Sequence, residues 1–252
     1  MATPSDPAPP HAPPPVSSKI KVKTTWPTTP LPLNIAREPI RTQRLLIRPY
    51  EDTDSDAAAI HALRSQPEVM LFTMQGVIDK DLEASRVFIQ RSLPPNDAQR
   101  YNWVITYLGE NGELQGDEKI FVGCGGVHKT DYQLGWPEVG YMVRKEYWGI
   151  GLATEFMRAF VDAWWKLPRK EVEVEIAADT VVGEMERDES GAVRVVEKLT
   201  ATIDANNPGS RRVLEKTGFK QSKQWTEADS RKGFEGADVT LVAFLLDRPG
   251  GE

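Results

Sequence analysis

A glycine-rich turn directly before a helical segment has a spacing suited to holding a phosphate. Gly149 and Gly151 flank one apolar residue, and the small Ala153 follows within the first helical turn. Such residues leave backbone N–H groups uncovered at a helix N-terminus, where several donors and the positive end of the helix dipole converge. The run lacks the Gly-Lys-Ser/Thr of a Walker A loop and the third glycine of a dinucleotide-binding fingerprint. We therefore interpret it as a phosphate or pyrophosphate cradle of another kind.

A second motif lies at 206–219 and reads Asn-Asn-Pro-Gly-Ser-Arg-Arg-Val-Leu-Glu-Lys-Thr-Gly-Phe. It predicts the end of a strand, then a short helix with Val213 and Leu214 facing inward and Gly218 as its C′ terminator. Asn207 and Ser210 have an ordinary explanation as helix caps, because both residue types accept hydrogen bonds from the first N–H groups of a helix.

The elements that position these motifs alternate between strand and helix patterns. Strands are predicted at 44–48, 101–108, 120–128 and 138–144. Helices are predicted at 54–63, 82–93 and 153–167. The buried face expected for 82–93 consists of Leu82, Val87, Phe88 and Leu93; that of the last helix consists of Ala153, Phe156, Phe160, Trp164 and Leu167. Strands meeting strands early and strand–helix–strand later predict an α+β or mixed α/β sheet rather than a Rossmann domain.

The composition narrows the classes of function. The chain has 252 residues, 40% of them hydrophobic, and no run of 18 apolar residues, which predicts a globular protein without a membrane span. A net charge of -6 argues against a nucleic-acid partner. One cysteine, Cys124, and three scattered histidines argue against a disulfide or a metal site. We expect a cytoplasmic, metal-independent protein that acts on something small or peptidic.

The N-terminal segment 1–35 is interpreted as a largely disordered tail. It holds ten of the nineteen prolines, which favour extended conformations and break the helix that an import signal needs. The folded domain is expected at 36–248. The stretch 19–33 is less dense in proline and contains Trp26, which leaves open that it packs along the domain.

The segment 169–196 is predicted to be an inserted acidic β-hairpin. Residues 171–176 and 192–203 have strand patterns, with a turn at 188–191. Residues 171–198 contain nine acidic and three basic residues, so their net charge of -6 equals that of the whole chain. One interpretation is a solvated hairpin whose acids protect an exposed edge. The other is an acidic rim that attracts a cationic substrate.

Taken together, the two motifs resemble the GNAT superfamily of acetyl-CoA-dependent N-acetyltransferases. Residues 148–155 read Trp-Gly-Ile-Gly-Leu-Ala-Thr-Glu, and 207–219 read Asn-x-x-Ser-x-x-Val-Leu-Glu-Lys-x-Gly-Phe. These motifs are most similar to those of the RimJ/RimL-like branch, whose members acetylate protein N-terminal amines or small amines. Residues 44–49, Arg-Leu-Leu-Ile-Arg-Pro, resemble the first strand of that branch. The resemblance covers about 38–246 and implies a strongly bent mixed sheet flanked by helices.

The resemblance also implies the acetyl-CoA site. Backbone groups of a splayed strand would bind the pantetheine amides, here those of Tyr141, Met142 and Val143. The pyrophosphate would lie on the amides of Gly149, Ile150, Gly151, Leu152, Ala153 and Thr154. Asn207 would contact the pantetheine arm, and Ser210 would protonate the departing thiolate. Trp148 departs from the family pattern, which has Gln or Arg at this position, and its side chain adds no charge to the phosphates.

The implied reaction needs a base. An amine of pKa about 10.4 is only about one part in a thousand neutral near pH 7.4, and only the neutral form attacks a thioester. Glu138, on the strand beside the thioester, is the first candidate, directly or through water; the alternative is an ordinary solvent-facing strand residue. His128 is the second candidate. Glu155 is expected to cap or pair on its helix, and Cys124 to serve packing. The amide of Val143 is expected to hold the oxyanion.

The expected function is transfer of the acetyl group of acetyl-CoA to a primary amine, a protein N-terminus or a small amine, by direct attack. Two other classes stay open. One is a non-catalytic acyl-CoA sensor of the same fold, and the other is a protein that uses the same loop to bind a different nucleotide. The sequence does not identify the acceptor or the oligomeric state.

Overall fold

The computed structural model describes residues 18–112, 120–129, 133–181 and 191–250. In these ranges the helices are α1 Asp54–Arg64, α2 Pro67–Met70, α3 Leu82–Gln90, α4 Leu152–Lys166 and α5 Pro208–Lys216. The strands are β1 Lys19–Pro27, β2 Ile40–Arg41, β3 Leu45–Arg48, β4 Tyr101–Tyr107, β5 Ile120–Lys129, β6 Glu138–Val143, β7 Arg169–Ala177, β8 Val193–Arg194, β9 Lys198–Asp204, β10 Lys220–Ala228 and β11 Asp238–Asp247.

Eight strands form the main sheet, in the order β10-β11-β9-β6-β5-β4-β3-β2. Neighbours in this sheet are antiparallel except β6 and β9, which are parallel; α4, β7 and β8 lie between them in the chain. The predicted mixed α+β architecture is therefore confirmed.

Both faces of the main sheet are covered by helices. Along β4, Trp103 and Ile105 belong to a core that includes Phe156 and Phe160 of α4, whereas Val104 belongs to a second core with residues of α1 and α3. Because successive side chains of a strand point to opposite faces, α4 and α1/α3 lie on opposite sides of the sheet. Within the described residues, no helix is long and apolar enough to cross a membrane.

A separate three-stranded sheet has the order β7-β1-β8, and it corrects two predictions. The expected hairpin is wrong, because β1 lies between β7 and β8 and pairs with each of them. The second predicted strand is divided into β8 and β9, and β9 joins the main sheet. The interpretation of 1–35 as a tail is wrong for Lys19–Pro27, which is β1. Residues 1–17 and 182–190, with most of the expected turn, lie outside the described residues.

Charge and hydrophobic alternation explain why β1 takes this place. The basic residues Lys21 and Lys23 stand opposite Glu175 and Glu173 in the register with β7. Lys21 Nζ lies 3.7 Å from Glu173 Oε1. Between the lysines, Val22 is buried in a core that joins the two sheets. Cross-strand pairs of opposite charge stabilise a sheet, so a basic strand is the natural partner for the acidic β7.

The buried face predicted for 82–93 is partly wrong. Leu82 and Val87 are 39% and 52% exposed, and α3 instead buries Ser85 and Ile89. Ser85 Oγ donates to Asp79 Oδ2 at 2.7 Å. This hydrogen bond turns a polar residue toward the protein interior. The buried face of α3 is therefore rotated from the face that the apolar spacing predicted.

Candidate active site

A gap between β6 and β9 is the central feature of the candidate site. Within the described chain the ladder between these parallel strands consists of one pair, Glu138 with Thr200. Beyond this pair the strands separate toward their C-terminal ends, where α4 and α5 begin. The closed end, or vertex, of the gap is therefore at Glu138, and the N-termini of α4 and α5 lie at its open end.

The backbone alternation of β6 decides which groups face the gap. The amide of Arg144 donates to the Val122 carbonyl at 2.8 Å. In an antiparallel pair every second residue is bonded to the neighbouring strand, so Met142, opposite Cys124, turns its N–H and C=O toward β5. The backbone groups of Tyr141 and Val143 are then directed into the gap. Of the three strand residues expected to offer backbone groups, Met142 does not fit this role.

Glu138 is buried at the vertex, with 7% of the residue exposed. Thr202 Oγ1 donates to Glu138 Oε2 at 3.2 Å from the facing strand. The alternative interpretation of Glu138 as a solvent-facing strand residue is therefore wrong. The Thr202 hydroxyl of β9 therefore holds the carboxylate beside the closed end of the gap.

His128 is placed beside Glu138 by a β-bulge. The register of β5 and β6 shifts between Val127 and Lys129, which leaves His128 as the additional residue. Its Nε2 lies 3.9 Å from Glu138 Oε1, and 35% of its side chain is exposed compared with 9% for Glu138. Bulges redirect side chains next to functional sites. The two candidate bases therefore stand together, the buried one next to the exposed one.

A hydroxyl pair closes the gap on its other side. Tyr141 Oη lies 2.8 Å from Ser210 Oγ, which joins β6 to the first turn of α5. Asn207 Oδ1 accepts a hydrogen bond from the Ser210 amide at 2.9 Å, so Asn207 caps the helix and Ser210 does not. Helix capping, which was the alternative interpretation of both residues, therefore applies to Asn207 only. The amide nitrogen of Asn207 stays available to a ligand while its oxygen serves as the cap.

Glu138 and the hydroxyl pair lie on opposite faces of the sheet. Glu138 and Tyr141 are separated by an odd number of positions, so their side chains point to opposite sides. Tyr141 packs against the core beneath α4, whereas Met142 packs against the core beneath α1 and α3. A group bound in the gap is therefore approached by a carboxylate from one face and by hydroxyls from the other.

The glycine-rich turn has the geometry expected for an anion cradle. Gly149 and Gly151 adopt φ values of +78° and +87°, in the left-handed region that favours glycine. Gly151 is the N-cap of α4, and no side chain caps this helix. The first N–H groups of the 15-residue helix have no intrahelical partner, so they are available to an anion.

Arg44 brings a positive charge to this turn, a contribution that the sequence motif did not predict. Its Nη1 donates to the Ile150 carbonyl at 3.0 Å. A Cβ added to Gly151 would lie 3.4 Å from Arg44 Nη2, so the guanidinium borders the cradle. The guanidinium is itself paired with Glu155 at 2.8 Å and with Glu110 at 3.5 Å. Trp148, which carries no charge, donates from Nε1 to the Val143 carbonyl at 2.6 Å.

Glu155 holds Arg44 in place, so it pairs with a residue that directly precedes β3 rather than on its own helix as predicted. It accepts hydrogen bonds from Thr42 Oγ1 at 2.6 Å and from the Arg44 amide and Nε at 2.8 Å each. Partial burial disfavours its charged form, but these hydrogen bonds and the Arg44 charge outweigh burial and lower the pKa of Glu155. Glu155 therefore stays charged and stabilises the glycine-rich turn through Arg44, which binds the Ile150 carbonyl.

Cys124 is 2% exposed and packs in the core beneath α1 and α3. Burial raises the pKa of its thiol to about 11. A thiol that stays protonated and inaccessible is a poor nucleophile, which supports the predicted packing role.

A cavity of about 340 Å³ opens at the end of β9. It is lined by Leu71, Phe72, Asp204, Asn206, Asp229, Arg231, Phe234, Asp238 and Val239. Asp204 follows Thr202 by two positions, so it lies on the same face of β9 as the hydroxyl that contacts Glu138. Arg231 spans the cavity wall, with Nε 2.9 Å from Asp229 Oδ1, Nη2 3.2 Å from Asp204 Oδ2 and Nη1 2.7 Å from the Leu71 carbonyl. The lining thus contains three carboxylates and one guanidinium.

Among the described residues, no group of three or more His, Cys, Asp or Glu side chains has the arrangement of a metal site. The hydroxyl of Tyr141, the hydroxyl of Thr202 and the charge of Arg44 were not identified from the sequence as parts of the site. Each acts across a long separation along the chain, and no local pattern indicates such contacts.

Comparison with known proteins identifies the family. The model of the acetyltransferase (GNAT) domain matches residues 44–220. The chain therefore belongs to the GNAT family of acetyl-CoA-dependent acetyltransferases. No curated protein matches its sequence.

Solved structures of this family have the same fold. A GNAT-family acetyltransferase from Bacillus anthracis has a TM-score of 0.56 and 22% identity, covering 84% of this chain and 99% of that chain. RimL, a ribosomal L7/L12 alpha-N-protein acetyltransferase in complex with coenzyme A, has a TM-score of 0.57 and 13% identity, covering 84% and 99%. Spermidine N-acetyltransferase from Vibrio cholerae, in complex with CoA and spermine, has a TM-score of 0.52 and 15% identity, covering 81% and 96%. At these identities the likeness shows the fold alone.

Proposed function

We propose that this protein transfers the acetyl group of acetyl-CoA directly to a primary amine, a protein N-terminus or a small amine, in the gap between β6 and β9. The observation that carries the proposal is the placement of Glu138 and the Tyr141–Ser210 pair on opposite faces of this gap. An acyl transfer needs a base for the attacking nitrogen and an acid for the departing sulfur. Two separate sets of groups on opposite sides of the thioester meet that need.

Glu138 is the proposed general base. Its carboxylate is fixed by Thr202 at 3.2 Å and lies 3.9 Å from His128. A well-placed base contributes about 10²–10⁴ to the rate. The more exposed His128 offers a route for the amine proton from the buried carboxylate to water, so the two candidate bases have complementary tasks.

Acetyl-CoA fits the groups around the gap. The cradle amides of residues 149–154 and the Arg44 guanidinium would hold the pyrophosphate. Backbone groups of Tyr141, together with the amide nitrogen of Asn207, would bind the pantetheine arm. The Val143 amide would hold the oxyanion, while the Val143 carbonyl already accepts a hydrogen bond from Trp148 Nε1. Ser210 is the proposed acid for the thiolate.

The cavity at the end of β9 supports an amine as the acceptor. It lies on the Glu138 face, the side from which the nucleophile approaches in this scheme. Three carboxylates, those of Asp204, Asp229 and Asp238, line it, and this acidic lining favours a cation. The two sequence motifs resemble those of the RimJ/RimL-like branch, whose members acetylate protein N-terminal amines or small amines. This resemblance supports an acceptor of one of these two kinds. A cytoplasmic location is proposed because a chain with a single cysteine does not depend on the oxidising compartments in which disulfides form.

A thiol-release assay tests the proposal. Acetyl-CoA is incubated with the protein and a panel of peptides with free N-termini, polyamines and amino sugars, each with an amine-blocked counterpart as control. We expect CoA release that requires one class of free amine, and an added mass of one acetyl group on that acceptor. Release independent of the amine, or transfer to a hydroxyl or thiol, would contradict the proposal.

A further inference from the structure

In the hydroxyl pair of Tyr141 and Ser210, the Tyr141 hydroxyl has no role of its own in the scheme above. Tyr141 comes from β6 and Ser210 from α5, and their oxygens are 2.8 Å apart. A serine hydroxyl alone is a very weak acid, and after giving its proton it needs another. The phenol beside it is the more acidic of the two.

Both members of the pair are held in place. Ser210 is fixed through its amide, which donates to Asn207 Oδ1 at 2.9 Å. Tyr141 packs against the core, and a Cβ added to Gly125 would lie 2.7 Å from both Tyr141 Cβ and Phe156 Cε1. The absence of a side chain at Gly125 therefore allows the tyrosine to lie close to the sheet beneath α4.

We propose that Tyr141 is a positioning residue that orients the Ser210 hydroxyl and replaces its proton. This role rests on the proposed function. As the tetrahedral adduct collapses, the C–S bond breaks and its electron pair moves to sulfur. The Ser210 proton passes to sulfur, the Tyr141 proton passes to Ser210 Oγ, and the phenolate is reprotonated from water.

The protonation state of the phenol agrees with this role. Burial raises the pKa of Tyr141 to about 12, and the hydrogen bond with Ser210 opposes part of this increase. The phenol therefore keeps its proton throughout the pH range in which amines are acetylated, and it is available as a donor to Ser210.

A double-mutant cycle with Tyr141→Phe and Ser210→Ala tests the proposal. Tyr141→Phe removes only the hydroxyl. We expect each single variant to lower kcat about tenfold to a hundredfold with the KM for acetyl-CoA changed less than about twofold, and the double variant to be no slower than Ser210→Ala. We also expect the solvent isotope effect on kcat to change in Tyr141→Phe. Normal kcat in Tyr141→Phe, or effects of the two variants that multiply, would overturn the proposal.

Tyr50→Phe is the matched control, because Tyr50 is also a buried tyrosine and packs in the core beneath α1 and α3, whereas Tyr141 packs in the core beneath α4. We expect its kcat to be that of the wild type. The ¹³Cζ signal of Tyr141 gives a readout without turnover: Ser210→Ala should shift it. An unshifted signal with normal wild-type turnover would overturn the pairing alone. Loss of amine-dependent turnover in the wild type would overturn the proposed function, and the role of Tyr141 with it.

Discussion

Glu138 and Tyr141 stand three positions apart on β6, and their side chains lie on opposite faces of the sheet. Glu138 contacts Thr202 and His128, whereas Tyr141 contacts Ser210. The short strand between them borders the gap where β6 separates from β9. One strand thus carries both a carboxylate and a hydroxyl, directed to opposite faces of the sheet.

Replacing Glu138 with Gln tests its role as the base. The amide keeps the size of the side chain but cannot take a proton, so we expect kcat to fall by about 10²–10⁴ with little change in the KM for acetyl-CoA. Glu175→Gln is the control, because Glu175 is an exposed residue of β7. Full activity of Glu138→Gln at every pH from 6 to 9 would exclude the role.

Replacing Arg44 with Gln tests the support of the anion cradle. The variant loses the hydrogen bonds to Ile150 and Glu155, and charged hydrogen bonds contribute about 1.5–3 kcal/mol each. We expect calorimetry to show at least about tenfold weaker binding of acetyl-CoA. S-acetyl-pantetheine, which has no pyrophosphate, should bind the variant and the wild type equally.

Arg41→Gln is the control for this variant, because Arg41 is exposed and donates to the Gly112 carbonyl instead. Equal loss of affinity for both ligands in Arg44→Gln would contradict a role at the phosphates.

Cys124 makes the stability depend on pH in the alkaline range. Its pKa is raised from 9.0 to about 11 in the folded protein by burial, so the folded state binds the proton more tightly than the unfolded state. This contribution is fully present below pH 9 and is lost as the pH rises toward 11. Urea unfolding at pH 8 and pH 10.5 should show a smaller decrease in the free energy of unfolding for Cys124→Ala than for the wild type.

Acetyl transfer by Cys124→Ala is a second readout. We expect its kcat to match that of the wild type, because direct attack needs no acyl-cysteine. Inactivity of a folded Cys124→Ala protein would contradict direct transfer.

Trp26 tests whether β1 is part of the fold. Its indole is 9% exposed and stacks on Trp136 with ring centroids 6.2 Å apart. We expect Trp26→Ala to lower the free energy of unfolding by about 3–5 kcal/mol. Ile35→Ala, at a residue that is 95% exposed, should change it by less than about 0.5 kcal/mol. Equal stability of the two variants would show that β1 does not contribute.

The sequence was sufficient for several features whose determining pattern is local, although local apolar spacing misplaced the buried face of α3. Helix α4 has a continuous apolar face, and the glycine-rich turn carries its own backbone requirements at Gly149 and Gly151. The motif containing Asn207 and Ser210 likewise specifies a capped helix within a few residues. These features follow from neighbouring residues, and so they were predicted correctly.

Features that depend on long-range pairing were missed. The partner of the acidic β7 is a strand near the N-terminus, and proline-rich surroundings concealed it. The position of His128 depends on a bulge in the register with β6, which no spacing rule gives. Arg44 reaches the cradle only because β3 lies beside α4 in the folded chain. Such contacts are decided by tertiary packing rather than by local propensity.

A crystal structure of the protein with bound coenzyme A is the most direct test of the central claim. The account predicts the sulfur in the gap between β6 and β9, within hydrogen-bond distance of Ser210 Oγ, with the pyrophosphate on the amides of residues 149–154. It also predicts that Glu138 lies across the gap from Ser210, with space on its face for an amine. A coenzyme bound outside this gap, or a sulfur on the Glu138 face, would contradict the account.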